Sequence, residues 1–345
     1  MRSTHDSQGS TITLWSGEGA DEVIVTETDP ISLVIHGEAG NDMINASVVE
    51  TDLILTGDGG DDIIISGAGD DTVTGGSDND TLVGGSGDDT LSGGAGDDLY
   101  VFADGWGNDT ILEEAEEGDD TLDFSAVTAG LTIQLGSITV TDGTNSATHS
   151  GDNVEHVVSG SGGGTLVGPD SPNIWHITDH NAGDLNGTFL FSNVANLTGG
   201  ADTDRFIFSD NRGMSGLIDG ANGVNTLDYS PYSTRVEVDL SAGAATGTGT
   251  IANIRDVAGG SSHDYLVGDG QDNVLSGSAG DDDLVGGLGD DTLRGGEGHD
   301  ILVADAGRIL RAYNEDGSPR LAVQPGPGAG TKDFRSGSTG VDRGL

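Results

Sequence analysis

The 345-residue chain contains no cysteine, so no disulfide can form and cysteine usage sets no redox compartment. Basic residues are scarce, 12 against 59 acidic ones, and the net charge of −47 argues against nucleic acid as a partner. Apolar residues make up 33% and aromatic ones 4%, too little for a thick core and close to the composition of a disordered chain. No apolar run approaches the ~18 residues of a membrane span, so no transmembrane segment is expected. The opening "MRSTHDSQGSTITLW" has no apolar segment of the signal-peptide kind, so cleaved export is not expected and another export route stays open. Helical periodicity is missing too: glycine and β-branched residues dominate, and apolar residues do not recur at helical spacing. So many like charges oppose compaction. Either the chain stays unfolded or a cationic partner cancels the charge. A basic protein is one candidate, and a divalent cation is the simplest.

What is abundant is glycine, 61 residues, and it is ordered. Residues 57–101 divide without a gap into the nonapeptides GDGGDDIII, SGAGDDTVT, GGSDNDTLV, GGSGDDTLS and GGAGDDLYV. The sixth position is always aspartate (Asp62, Asp71, Asp80, Asp89, Asp98), and the eighth is always apolar or aromatic (Ile64, Val73, Leu82, Leu91, Tyr100). Residues 259–303 repeat the phrase as GGSSHDYLV, GDGQDNVLS, GSAGDDDLV, GGLGDDTLR and GGEGHDILV, with Asp264, Asn273, Asp282, Asp291 and Asp300 in the sixth slot. A mere Gly/Asp tract would not lock an apolar residue two places after each aspartate. Weaker copies flank the first run and carry Asp21, Asp42, Asp109 and Asp120. Counted by coils, Asp21, Asp42, Asp62, Asp80, Asp98 and Asp120 are expected on one edge, and Asp71, Asp89 and Asp109 on the other.

The spacing has a physical reading. Glycines at positions one, two and four allow a tight turn, and the last three residues are extended. Position eight then points inward, with seven and nine outward. Two units make an 18-residue coil whose equivalent residues stack ~4.8 Å apart. Stacked carboxylates repel unless a cation lies between the turns. Calcium suits aspartates and turn carbonyls, because it takes 6–8 oxygens in flexible geometry. Magnesium demands a stricter octahedron, and zinc prefers nitrogen and sulfur. Several calcium ions are therefore expected, on Asp42, Asp62, Asp71, Asp80, Asp89, Asp98, Asp109, Asp264, Asp282, Asp291 and Asp300.

The motif GGxGxDxUx, as in "GGSGDDTLS" and "GGLGDDTLR", resembles the repeat-in-toxin (RTX) calcium-binding repeat, whose nonapeptide form is a known solenoid signature. "YVFADGWGNDTI" resembles the sequence that closes such a block, and the middle of the chain is similar to β-rich segments of large bacterial secreted or surface repeat proteins. The resemblance implies a parallel β-roll with calcium between turns. It also implies export through a one-step channel by an uncleaved C-terminal signal, and folding outside the cell. Where Asn173, Asn225 or Asn273 replaces aspartate, the implied site is weakened or lost.

The expected class is all-β: a parallel β-roll or β-solenoid with two calcium-binding blocks flanking a degenerate β-rich middle. The expected divisions are a first β-roll (1–125), a solenoid-like or sandwich-like middle (126–258), a second β-roll (259–306), and a covering strand at 307–313 with a disordered tail to 345. No HExxH zinc-protease motif and no GxSxG nucleophile elbow occurs, and no P-loop or Rossmann fingerprint stands in a strand-to-helix context. The acidic pairs all fall within the repeat and give no sign of a glycosidase cleft. His176 and His180 read as surface histidines, Trp175 as core, and Thr72, Thr81, Thr90 and Thr292 as outward residues in cross-strand packing. The leading reading is a non-enzymatic, secreted or surface-exposed calcium-binding protein whose folding is coupled to calcium. An adhesin or cell-surface scaffold fragment, with cell-surface or matrix ligands, is the alternative. A hydrolase within 121–258 is the third.

Overall fold

The computed structural model describes residues 2–5, 11–26, 32–113, 118–149, 153–303, 312–313 and 319–320. Every regular element among them is a β-strand. Among the described residues no helix is long and apolar enough to cross a membrane. The chain divides into two compact units, residues 1–167 with 188–194, and residues 168–187 with 195–345.

In the first unit each nonapeptide turns once and then extends, so successive strands alternate between two sheets. One sheet stacks Thr11–Glu18, Ser32–Ala39, Leu53–Gly59, Thr72–Ser77, Thr90–Ala95 and Asn108–Ile111 in parallel. The other stacks Glu22–Ile24, Met43–Asn45, Ile63–Ile65, Thr81–Val83, Leu99–Ala103 and Thr121–Ala126, also in parallel. Val73 pairs with Leu91 and Ile64 with Leu82, which sets an 18-residue coil. The earlier coils are longer: Val23 pairs with Ile44, and Ile44 with Ile64.

Strand alternation puts one position-eight side chain per strand into the space between the sheets. Ile44, Ile64, Leu82 and Tyr100 from one sheet meet Leu55, Val73 and Leu91 from the other, and all are fully buried. Phe102, Trp106 and Phe124 thicken the core beyond the last repeats, with Phe102 stacked on Phe124 at 4.4 Å. One apolar residue per strand is a thin core, so each carries much of its coil. Leu82→Ala is expected to cost ~2–5 kcal/mol, read as a shift of the denaturant midpoint at unchanged slope.

The outward faces differ. On one sheet Thr72 pairs with Thr90, Thr90 with Thr110 and Thr110 with Thr148. Thr81 lies on the other sheet, among Ile63, Ile65 and Leu99, and Thr292 belongs to the second unit. The four threonines singled out in the sequence therefore do not form one array, because alternate units feed opposite sheets.

The middle of the chain continues the parallel scheme and interrupts it with hairpins. In the first unit Leu131–Gln134, Ile138–Thr141 and Ser146–His149 form an antiparallel excursion. In the second unit Asn173–Asp179 pairs antiparallel with Ala182–Leu185 and parallel with Asp204–Phe208. Thr226–Asp228, Asp256–Ala258, Val274–Ala279 and Thr292–Glu297 follow in parallel. A further sheet of this unit stacks Glu237–Asp239, Tyr265–Val267, Asp283–Val285 and Ile301–Val303. In each unit, then, parallel strands of the middle are interrupted by antiparallel hairpins.

Large aromatics fill the second unit's wider core: Trp175 stacks on Phe206 and Phe208 on Tyr229, and all four are buried. Asp228 is buried and answered by the Arg205 guanidinium. Of the expected covering strand and tail, 307–311, 314–318 and 321–345 lie outside the described residues. Ala312–Tyr313 pairs antiparallel with Pro319–Arg320.

Candidate metal centre

The position-six aspartates form columns, one residue per coil. Each accepts, through Oδ1, the backbone N–H of the equivalent residue one coil earlier. Asp42 accepts from Asp21 at 2.7 Å, Asp62 from Asp42 at 2.7 Å, Asp80 from Asp62 at 2.8 Å and Asp98 from Asp80 at 2.7 Å. Asp120 accepts from Asp98 at 2.9 Å. The opposite edge runs from Leu53 to Asp71, Asp89 and Asp109. In the second unit Asp264 accepts from Val236, Asp282 from Asp264 and Asp300 from Asp282, while Asp291 accepts from Asn273. One carboxylate oxygen is thus consumed in holding the coils in register.

The other oxygen is the chemically open one. The Oδ2 atoms of Asp42, Asp62, Asp80, Asp89, Asp109 and Asp282 are buried without a hydrogen-bond partner, in side chains 0–3% exposed. Those of Asp42, Asp62, Asp80, Asp89 and Asp282 lie against the position-one glycine of their own turn, where a side chain would meet them. A Cβ on Gly57 would fall on Asp62 Oδ2 and on the Gly75 carbonyl oxygen of the next coil. Carboxylate and carbonyl oxygens therefore face one another with no donor between them, an arrangement that costs free energy unless a proton or cation sits there. Burial pushes the carboxyls up, against the backbone hydrogen bond, and neighbouring carboxylates of the column add to the rise. Asp62 and Asp282 reach about 6, Asp80 and Asp89 about 7, and Asp109 about 8.

Asn225 shows what such a turn asks of its occupant. Its Oδ1 accepts the Asp204 N–H, as an aspartate would. Its amide nitrogen occupies the place of the open oxygen and donates to three carbonyls: Gly220 at 2.7 Å, Asn222 at 2.9 Å and Asn253 at 3.0 Å. These are the first and third residues of its own turn and a residue of the next coil. A neutral donor there satisfies carbonyls that an aspartate leaves unanswered. Among the described residues no three acidic, histidine or cysteine side chains gather around one point. The donor set is carboxylate oxygen plus backbone carbonyls, all hard oxygen, which fits calcium and not zinc.

A model of the RTX calcium-binding nonapeptide repeat matches residues 34–47, 54–82, 74–111, 258–293 and 276–308. These turns are RTX calcium-binding repeats. No curated protein matches the chain. The matched segments contain every aspartate named above as a candidate ligand, from Asp42 to Asp300. Asp120 and the eroded turns at Asn173, Asp204 and Asn225 lie outside them.

The RTX turns hold a second ladder at position five, a slot not singled out in the sequence. Asp61 Oδ1 accepts the Asn79 N–H, Asn79 that of Asp97, and Asp97 that of Asp119. On the other edge Asp52 accepts the Asp70 N–H, Asp70 that of Asp88, and Asp88 that of Asn108. Position five reaches forward one coil and position six reaches back, so each turn is tied from both sides. The signal was present: Asp61, Asp70, Asn79, Asp88 and Asp97 are all short side chains with an acceptor oxygen. His176 and His180 are not brought together as a metal pair. His176 meets Asp184 at 2.7 Å from its strand, and His180 lies past the strand's end at Asp179.

Proposed function

We propose that the chain is a secreted or surface-exposed calcium-binding protein without catalytic activity, whose β-roll forms outside the cell when calcium reaches the turns. The observation that carries this reading is the column of buried, unpartnered Oδ2 atoms facing backbone carbonyls. Such a fold is incomplete by itself and complete with a hard cation. An ion that binds the folded state and not the unfolded one stabilises it by mass action. Extracellular calcium modules bind at ~10⁻⁴–10⁻³ M, so millimolar calcium outside the cell would fold the chain and the low calcium of the cytoplasm would not. The net charge of −47 works in the same direction, keeping the metal-free chain expanded.

The test is circular dichroism of the full chain during a calcium titration at pH 7.5, with magnesium as control. The expected result is a cooperative gain of β-signal with calcium alone. An identical β-spectrum in chelator and in calcium would defeat the coupling.

A further inference from the structure

The repeat turns of this chain exist in two conformations, and the difference lies at position two. In the turns of Asp42, Asp62, Asp80, Asp89, Asp109 and Asp282, position two is left-handed: Glu38 (φ 69°), Asp58 (74°), Gly76 (135°), Gly85 (97°), Gly105 (85°) and Ser278 (78°). These are the turns whose Oδ2 is buried and unpartnered. In the turns of Asp71, Asp204, Asp264 and Asn273 position two is not left-handed, and its N–H points into the turn. Gly67 donates to Asp71 Oδ2 at 3.3 Å, Gly200 to Asp204 Oδ2 at 2.8 Å, Gly260 to Asp264 Oδ2 at 2.7 Å and Asp269 to Asn273 Oδ1 at 2.9 Å. In the closed turns of Asp71, Asp204 and Asp264 the second carboxylate oxygen is already satisfied, and in that of Asn273 the single amide oxygen is.

The closed turns share a place in the stack. The neighbour before each is not a glycine-rich repeat turn. Gly67 lies against Val49, Gly200 against Pro169 and Gly260 against Tyr232. The open turns of Asp89 and Asp282 follow the closed turns of Asp71 and Asp264 by one coil. Glu38, Asp58 and Ser278 also hold the left-handed conformation in open turns, a strain that persists only where the surroundings compensate for it.

We infer that the position-two peptide sorts the repeat turns of this chain: open turns take calcium, while the turns of Asp71, Asp204 and Asp264 satisfy their own carboxylate and take none. The columns that begin at Asp71 and Asp264 then bind fewer ions than they have aspartates, because that first turn has no repeat turn before it to share an ion with. The turn of Asn225 is open, with Ala221 at φ 55°, and the amide blocks it. Asn225→Asp would therefore create a calcium site outside the matched repeats. This rests on the calcium reading above.

The experiment counts ions on the full chain by native mass spectrometry and equilibrium dialysis with calcium chloride, with circular dichroism confirming that each variant is folded. Asp89→Asn and Asp282→Asn are each expected to lower the count. Asp204→Asn and Asp264→Asn should leave it unchanged, and Asn225→Asp should raise it by one. A wild-type chain that binds no calcium overturns the parent reading and this one with it. A wild-type chain that binds calcium, with Asp264→Asn losing an ion as Asp282→Asn does, or with Asn225→Asp gaining none, overturns the sorting alone.

Discussion

Asp80→Ala should raise the calcium concentration needed to fold the first repeat block by at least tenfold, and should leave less β-structure at saturation. Asp80 stands mid-column, with its Oδ1 on the Asp62 N–H and its own N–H given to Asp98. The alanine removes an ionised acceptor from a buried N–H, worth ~1.5–3 kcal/mol. It also removes the open oxygen from the ion site, and an ion held at 100 times its Kd contributes ~2.7 kcal/mol. In a stack where each coil touches only its neighbours, a break in the middle divides the cooperative unit. Asp80→Asn separates the two effects. It keeps the Oδ1 acceptor and puts an amide where the open oxygen was, as Asn225 does. This variant should bind less calcium than wild type yet retain more β-signal in chelator. Asp204→Ala is the contrast. Asp204 accepts from the Asn173 N–H, the Asn173 amide and the Gly200 N–H, so its loss should lower stability equally with and without calcium. A calcium midpoint unmoved by Asp80→Ala, or moved as far by Asp204→Ala, would sink the assignment.

The columns were legible in the sequence because one residue does two jobs at fixed spacing. Aspartate two places before an apolar residue fixes both the inward face and the turn, so the edge on which each of Asp42, Asp62 and Asp71 sits could be counted from coil length. What the count could not show is which oxygen of each carboxylate is used. Asp264 and Asp282 look alike in GGSSHDYLV and GSAGDDDLV, yet one has both oxygens bonded to N–H groups and the other has one oxygen bare. The difference comes from the coil before, where Tyr232 stands against Gly260 in place of a repeat turn. That neighbour is distant in sequence and carries no local signal. The hairpins between coils were illegible for a similar reason. "LTIQL" and "ITVTD" alternate as solenoid strands do, and only their pairing partners reveal the antiparallel excursion.

In chelator, acid should do part of what calcium does. The open carboxyls have folded pKa values of about 6 for Asp62 and Asp282, about 7 for Asp80 and Asp89, and about 8 for Asp109, all raised by burial. In the unfolded chain an aspartate titrates near 3.9. The native state therefore binds more protons than the unfolded state between these values, and metal-free stability falls as pH rises. The contribution is fully present below about pH 4 and is lost as pH climbs through about 6 to 8. Calcium needs the deprotonated carboxylate, so its binding expels protons and its affinity climbs over the same window. The expected result is β-signal in chelator at pH 5 that fades towards pH 8, with calcium restoring it most at pH 8. Falling net charge also favours compaction at low pH, and salt tells the two apart. Half-molar sodium chloride screens exposed charges over a few ångströms but reaches buried carboxyls poorly. The pH dependence should persist in that salt if the buried columns set it. A metal-free β-signal flat from pH 5 to 8, or one that salt alone restores at pH 8, would mean that surface repulsion and not the open oxygen governs folding.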